Sequence, residues 1–296
     1  MKPLRLIQSA ATVFGLVAIV LFVPVRASTR IFDYDRLTPF KLEEVGRETH
    51  DGALVRDITF VPVDKPLKAY LVSPATDAKV PHAAILYVHW LGDPKTTNRT
   101  EFLYEAISLA KQGVISLLVD AMWSEPKWYG ERVPEEDYDR SVRQVVELRR
   151  AMDLLLAQPG VDLQRVAFVG HDFGAMYGMI ASAQDRRAKT YVFMAPVPRL
   201  IDWFLFARQP HDLESYRTQL APLNPVNFVS EIAPASIFFQ FADHDKYVSA
   251  AQAAEFYAAA SSRKQMVTYA AEHDLRTTEV ATDRVGWLKR ELDLKD

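Results

Sequence analysis

Short apolar, β-rich runs alternate with longer segments along most of the chain, and this alternation limits the possible folds more than any other sequence feature. The runs lie at residues 54–63, 67–72, 83–89, 114–119, 165–169, 190–194, 236–241 and 265–269. Helical patterns, as at residues 98–111, 134–157 and 250–260, separate the later runs and predict right-handed crossovers between parallel strands. Only three residues, 64–66, separate the first two runs, which are therefore predicted to be antiparallel. The predicted fold class is α/β, a mostly parallel eight-stranded sheet with helices on both faces.

The same pattern predicts how the chain is divided. Residues 1–27 are predicted to be a signal peptide or membrane anchor, residues 28–53 a lead-in segment, and residues 54–296 the folded domain. Between the sixth and seventh runs, residues 196–234 form a Pro- and aromatic-rich insertion. We expect this insertion to be a small helical cap.

The amino terminus has the pattern of an export signal. Lys2 and Arg5 precede an uncharged apolar run at residues 10–25, and the sequence Val25-Arg26-Ala27 follows the rule of small residues before a cleavage site. A membrane anchor through residues 6–25 is the alternative, although a spanning helix needs about 20 apolar residues. The expected location is extracytoplasmic, either periplasmic or secreted.

Composition excludes several classes of function. The 35 Lys and Arg residues face 38 Asp and Glu residues, so no basic surplus exists to bind nucleic acid. The absence of Cys removes disulfides, thiolate nucleophiles and Cys-ligated zinc. The seven His residues show no metal-ligand spacing on a helix. We therefore expect a small-molecule substrate, no metal and no cofactor.

Candidate catalytic residues follow three of the predicted strands, at the carboxyl edge of the sheet where ligands of α/β proteins bind. Residues 170–174, Gly-His-Asp-Phe-Gly, have the G-x-Nu-x-G pattern of a nucleophile elbow with Asp172 at its centre. Asp243 and Asp245 follow the seventh run, and His273 follows the eighth. This order of nucleophile, acid and His is the chain order of α/β-hydrolase triads.

Residues 54–294 resemble the α/β-hydrolase superfamily through the motifs VHWLG, VGHDFGAMYG, FADHDKYV and AAEHDL. The compact layout resembles the dienelactone-hydrolase-like branch, in which the elbow centre is usually Cys. An Asp at the elbow is similar instead to haloalkane dehalogenases, fluoroacetate dehalogenases and epoxide hydrolases. That resemblance implies Asp172 as nucleophile, His273 as base and Asp245 as the orienting acid, with Asp243 as the alternative acid.

The resemblance also implies an oxyanion hole of two backbone N–H groups. One donor is expected at Phe173, after the nucleophile, and the other at Trp90 in the loop after the third run. His89, His171 and His244 are expected to form local hydrogen bonds in their loops. Tryptophan N–H groups could hold a departing halide, whereas an epoxide hydrolase needs an acid such as Tyr216. The pocket candidates are Trp123, Trp128, Trp203 and Tyr216.

Three functions remain open at this point. An ionised aspartate that attacks a saturated carbon forms a stable alkyl ester, which His273 would hydrolyse by activating water. A second enzyme hypothesis is an ester or lactone hydrolase in which His273 activates water directly and Asp172 is only a charge. The third is a non-catalytic exported binding protein that has kept the fold.

Overall fold

A computed structural model describes residues 29–76, 81–261 and 263–295 of the chain. Its centre is a nine-stranded sheet with the strand order β1-β2-β3-β5-β4-β6-β7-β8-β9. The strands are β1 (Glu43–His50), β2 (Ala53–Phe60), β3 (Leu67–Pro74), β4 (His82–Val88), β5 (Val114–Val119), β6 (Val161–His171), β7 (Thr190–Met194), β8 (Ser236–Ala242) and β9 (Lys264–Tyr269). The predicted α/β class is confirmed.

The sheet has one strand more than the sequence predicted. Strand β1 lies within the lead-in segment and pairs antiparallel with β2 at the edge of the sheet. Seven of its eight residues are exposed. Because neither face of β1 is buried, its sequence lacks the alternation by which strands are recognised.

Strand directions agree with the prediction. β2 and β3 form the antiparallel hairpin, and β3 pairs antiparallel with β5. From β5 through β4, β6, β7 and β8 to β9, every neighbouring pair is parallel. All residues of β4, β5, β7 and β8 are buried, as expected for strands covered on both faces.

Helices cover the two faces of the sheet. They are α1 (Leu103–Ala110), α2 (Trp128–Glu131), α3 (Asp137–Leu156), α4 (Phe173–Gln184), α5 (Leu200–Ala207), α6 (Leu213–Leu220), α7 (Ala250–Ala259) and α8 (Thr278–Glu291). Helices α3 and α4 pack together on one face. Helices α1 and α8 lie on the other, joined by the buried ion pair of Glu105 and Arg284 at 2.7 Å.

The insertion between β7 and β8 is helical, as predicted. It contains α5, α6 and three short 3-10 turns. A buried polar cluster fastens it to the rest of the fold: Tyr216 of α6 donates to Asp137 of α3 at 2.5 Å, and Arg132 donates to the carbonyl oxygen of Phe204 in α5. The cap is therefore held by specific side chains as well as by apolar packing.

The predicted export signal lies outside the described residues. Within the residues that the structure describes, no helix is both long enough and apolar enough to cross a membrane.

Candidate active site

Asp172 occupies a strained turn between β6 and α4. Its φ of 51° and ψ of −115° lie outside the regions that non-glycine residues favour. The turn is closed tightly by the flanking glycines: a Cβ on Gly170 would lie 2.5 Å from the carbonyl oxygen of Gly174, and one on Gly174 would collide with the carbonyl oxygen of Val88. Only glycine fits at these two positions, which explains the G-x-D-x-G pattern.

The two oxygens of the Asp172 carboxylate have different environments. Oδ2 accepts a hydrogen bond from the Leu91 N–H at 3.2 Å, and the Phe173 N–H also donates to the carboxylate. Oδ1 is buried and has no hydrogen-bond partner within the described part of the chain. Oδ2 is thus held by a backbone donor, whereas Oδ1 is buried without one.

The second backbone donor differs from the prediction. Trp90 was expected to supply it, but the Trp90 N–H donates to Oε2 of Glu101 at 2.9 Å. The next residue, Leu91, points its N–H at Asp172 instead. The loop reads His-Trp-Leu-Gly, and its hydrogen bond to Glu101 shifts the donor one position along the chain.

His273 and Asp245 come together although they are 28 positions apart in the sequence. Nδ1 of His273 lies 2.8 Å from Oδ2 of Asp245. Oδ1 of Asp245 accepts from the N–H groups of Tyr247 and Val248, which fixes the carboxylate. The alternative acid, Asp243, is half exposed and lies 3.6 Å from the exposed His244. The geometry therefore pairs His273 with Asp245.

The electrostatics of this group favour an ion pair between Asp172 and His273. Burial raises the pKa of Asp172 to about 6, although His273, His171 and the two backbone donors oppose the rise. Burial also disfavours a charged His273, but Asp245 and Asp172 outweigh it and raise the pKa of His273. Hydrogen bonding and charge from His273 lower the pKa of Asp245 despite its own burial. Nε2 of His273 is buried without a hydrogen-bond partner among the described residues.

Aromatic rings surround His273. The ring centroids of Trp90, Trp203 and Tyr247 lie 5.8, 5.5 and 5.1 Å from that of His273. Trp203 belongs to α5, so the cap supplies part of this enclosure. The enclosure makes the surroundings of His273 largely apolar.

The four pocket candidates divide into two groups. Trp128 and Trp203 both contact the ring of Phe173, and the indole N–H of each is buried with no partner among the described residues. Trp123 also packs on Phe173, but its N–H donates to His89. Tyr216 lies in the cluster that holds the cap, where its hydroxyl donates to Asp137. Tyr216 is therefore engaged away from Asp172.

Two further residues at the site were not predicted to act there. His171 is fully buried: its Nδ1 lies 2.7 Å from Oε1 of Glu101 and its Nε2 3.1 Å from the carbonyl oxygen of His273. Its position beside Asp172 was a usable signal, whereas nothing in the sequence marks Glu101. His89 lies within hydrogen-bonding distance of the Trp90 carbonyl oxygen and the Ser124 hydroxyl, and the N–H groups of Ala121 and Trp123 donate to its ring. In the described ranges, no three His, Asp or Glu side chains are grouped so that they could hold a metal ion.

Comparisons with known proteins agree on the fold. No family model matches the chain. A polyketide transferase of Stachybotrys chlorohalonatus (strain IBT 40285) is 32% identical over 91 residues, which span 31% of this chain and only 29% of that protein. An acetyl xylan esterase from Paenibacillus sp. R4 superposes with a TM-score of 0.70 at 15% identity, over 87% of this chain and 90% of the esterase.

A provisionally named dienelactone hydrolase from Klebsiella pneumoniae subsp. pneumoniae MGH 78578 superposes with a TM-score of 0.60 at 14% identity, over 82% of this chain and 99% of that one. Together with the strand order and the elbow, these superpositions show that the chain has the α/β-hydrolase fold.

Proposed function

We propose that the chain is a hydrolase that acts on a small, largely apolar substrate through Asp172, His273 and Asp245. The observation that carries this proposal is that the two oxygens of the Asp172 carboxylate have different hydrogen-bonding environments. Oδ2 accepts the Leu91 N–H and the Phe173 N–H also interacts with the carboxylate, while Oδ1 and Nε2 of His273 are both buried without a partner in the described chain. Atoms that will meet a substrate or a water molecule are expected to lack partners within the protein.

The hydrogen bond to Oδ2 of Asp172 favours a mechanism with an alkyl-ester intermediate on Asp172. In the first step Oδ1 bonds to a saturated carbon, and the bond from that carbon to the leaving group breaks with its electron pair. In the second step water gives a proton to His273 and adds to the carboxyl carbon of Asp172. Negative charge then develops on Oδ2, which already accepts the Leu91 N–H, and the neighbouring Phe173 N–H would add to this stabilisation.

The second step ends with the product alcohol and a restored carboxylate. The tetrahedral intermediate expels the alkoxide, which carries the former Oδ1 and takes the proton from His273. The acid group of Asp172 then loses its remaining proton to solvent. Asp245 stabilises the imidazolium that exists between these proton transfers.

Esterification of Asp172 would also prepare His273 to act as a base. The negative charge of Asp172 helps to raise the pKa of His273. Once Asp172 becomes a neutral ester, that contribution disappears and His273 loses its proton more easily. The first half-reaction would therefore generate the neutral imidazole that the second half-reaction needs.

The leaving group is best matched by a halide. The indole N–H groups of Trp90, Trp128 and Trp203 are all buried without a partner among the residues described, and their rings lie around His273 or Phe173. Opening an epoxide needs a proton donor, and Tyr216 is engaged with Asp137. Donors without acidic protons suit a halide better than an epoxide oxygen.

A second candidate is hydrolysis of an ester or lactone, and the comparisons favour it over the alkyl-ester mechanism. The neighbours in structure are, by name, an acetyl xylan esterase and a dienelactone hydrolase. In this candidate His273 activates water for direct attack on the substrate carbonyl. The geometry argues against it, because Oδ2 of Asp172 already binds the Leu91 N–H that a substrate carbonyl oxygen would need.

A single turnover in oxygen-18 water, with enzyme in excess over substrate, separates the two candidates. A panel of haloalkanes, esters and lactones is supplied, and both the product and the peptide that contains Asp172 are analysed by mass spectrometry. The alkyl-ester mechanism places oxygen-18 in Asp172 and leaves the first alcohol unlabelled. Direct attack by water labels the product and leaves Asp172 unlabelled. The peptide that contains Asp137 is the internal control.

Failure of every substrate in the panel to turn over would contradict both enzymatic candidates. The non-catalytic binding protein would then become the better explanation.

We also propose that the protein works outside the cytoplasm, on the strength of the charged-then-apolar amino terminus. Cell fractionation tests this proposal, and the mass of the recovered protein distinguishes a cleaved signal from an uncleaved anchor. Recovery of the uncleaved protein in the cytosol would contradict it.

A further inference from the structure

Glu101 connects two loops whose relative position matters for the proposed reaction. Its Oε2 accepts the N–H of Trp90, the residue before the oxyanion donor Leu91, at 2.9 Å. Its Oε1 lies 2.7 Å from Nδ1 of His171, the residue before Asp172. One carboxylate thus connects the oxyanion loop to the elbow.

His171 continues the connection to the loop of the base. Its Nε2 lies 3.1 Å from the backbone carbonyl oxygen of His273. Its ring stacks on Trp90 with centroids 5.4 Å apart, and lies 5.8 Å from the ring of His273. The path from Trp90, next to Leu91 in the chain, through Glu101 and His171 to His273 therefore consists of direct contacts.

The chemistry of the two partners determines how many protons His171 carries. A carboxylate oxygen and a carbonyl oxygen are both acceptors, so each ring nitrogen must donate to make both hydrogen bonds. With Glu101 ionised, a neutral imidazole, which has only one N–H, would leave one of the two buried contacts without a proton. We propose that His171 is a buried imidazolium, paired with Glu101, that positions both the oxyanion hole and His273.

The charges around His171 agree with a positive ring. Glu101 and Asp172 are the anionic groups nearest to it, and its charge helps to lower the pKa of Asp172 against the larger effect of burial. The other ionisable groups that face the pair are His273, His89 and Arg284, whose charge interacts with Glu101. A positive charge on His171 would favour the ionised, attacking form of Asp172.

This inference deepens the proposed function and rests on it for the catalytic part, but the protonation state can be measured without any substrate. Nitrogen-15 NMR of the full chain, labelled in its histidine rings, reports whether each ring nitrogen carries a proton. The His171→Gln variant identifies the His171 signals by their loss. Two protonated ring nitrogens at neutral pH are expected in the wild-type protein, and one bare nitrogen would overturn the assignment.

The positioning role has its own test. Glu101→Gln removes the counter-charge but keeps a similar shape, so His171 should become neutral and the hydrolytic step should slow by up to about 100-fold, as misplacement of reacting groups commonly does. Glu291→Gln is the matched control, because Glu291 accepts a hydrogen bond from Ser236 at the amino-terminal end of β8, whereas the site lies at the carboxyl ends of the strands. Unchanged turnover in Glu101→Gln with a neutral His171 would contradict the positioning role.

The two failures can be told apart. A wild-type His171 with two N–H groups, in a protein that turns over nothing, would uphold the imidazolium and overturn the hydrolase. A neutral His171 in an active enzyme would overturn this inference alone.

Discussion

Two buried aspartates, Asp172 and Asp137, resemble each other by the measures that usually mark an active site. Neither is exposed, and burial raises the pKa of each to about 6. Each also has an Oδ1 with no hydrogen-bond partner among the residues described. Burial and a raised pKa alone would select both as candidate catalytic groups.

Their surroundings separate them. Asp172 has a positive φ, its other oxygen accepts the backbone N–H of Leu91, and the charge of His273 lowers its pKa against the larger effect of burial. Asp137 begins helix α3 with ordinary helical geometry, and its other oxygen faces the side chains of Tyr216 and Arg132. Backbone strain and rigid donors point to chemistry at Asp172, whereas side-chain partners from the cap point to a fastening role at Asp137.

The largest difference in activity between these two aspartates is expected when each is replaced by asparagine, beginning with Asp172→Asn. The amide cannot attack carbon, so kcat/KM should fall by about 10⁴-fold or more. Asp137→Asn, the matched control, should retain turnover because no base faces that residue. Steady-state kinetics on a substrate from the panel measure both, with mass spectrometry to exclude deamidation. Equal losses in the two variants would remove the distinction.

The same Asp172→Asn variant should be more stable than the wild type. The pKa of Asp172 rises from 3.8 to about 6 on folding, so its ionised form opposes folding increasingly as pH rises through that window. At pH 7 the substitution should raise the free energy of unfolding by up to about 3 kcal/mol. Urea denaturation of both proteins at pH 7 and pH 4 measures this effect, which should shrink at the lower pH.

A smaller loss of activity is expected at the acid of the triad. Asp245→Asn keeps the side chain's size but removes the charge that stabilises the imidazolium, so turnover should fall by about 10²- to 10⁴-fold. Asp243→Asn, two residues away and half exposed, should behave as the wild type. The reverse result would assign the orienting role to Asp243.

Acidic pH should slow the first chemical step. Protonated Asp172 cannot attack, and its pKa is about 6, so the rate of leaving-group release should fall towards tenfold per pH unit below that value. Rapid-mixing measurement of the first turnover between pH 4.5 and pH 8 gives the profile. A rate that stays constant down to pH 4.5 would show that the ionisation of Asp172 does not control the attack.

The smallest effect on catalysis is expected at Tyr216. Tyr216→Phe removes the hydroxyl that Asp137 accepts in the buried cluster, so stability should fall by about 1–3 kcal/mol while kcat/KM stays unchanged. Thermal unfolding and steady-state kinetics measure the two quantities. A large loss of kcat with unaltered stability would instead support Tyr216 as the acid of an epoxide hydrolase.

The sequence was most informative where a feature depends on local chain geometry. The runs at 114–119 and 190–194 coincide with β5 and β7 because fully buried strands consist mostly of apolar residues. The elbow was recognisable because its glycines are sterically required. Strand β1 was missed because it is an exposed edge strand, whose residues need not alternate.

The sequence was least informative where tertiary contacts choose between neighbours. Trp90 and Leu91 are adjacent, and only the distant Glu101 determines which N–H faces Asp172. The same holds for Tyr216. Its place in the cap suggests a role near the nucleophile, but its hydroxyl donates to Asp137 instead. Such choices depend on partners that no local pattern encodes.

The most direct test of the nucleophilic role of Asp172 is the mass of the His273→Gln variant after incubation with a substrate that the wild type turns over. Because Asp172 needs no base to attack, this variant should still form the alkyl ester but fail to hydrolyse it. The expected result is a stable mass increase equal to the alkyl group, localised to the peptide that contains Asp172. An unmodified His273→Gln protein would contradict alkyl-ester catalysis and favour direct activation of water by His273.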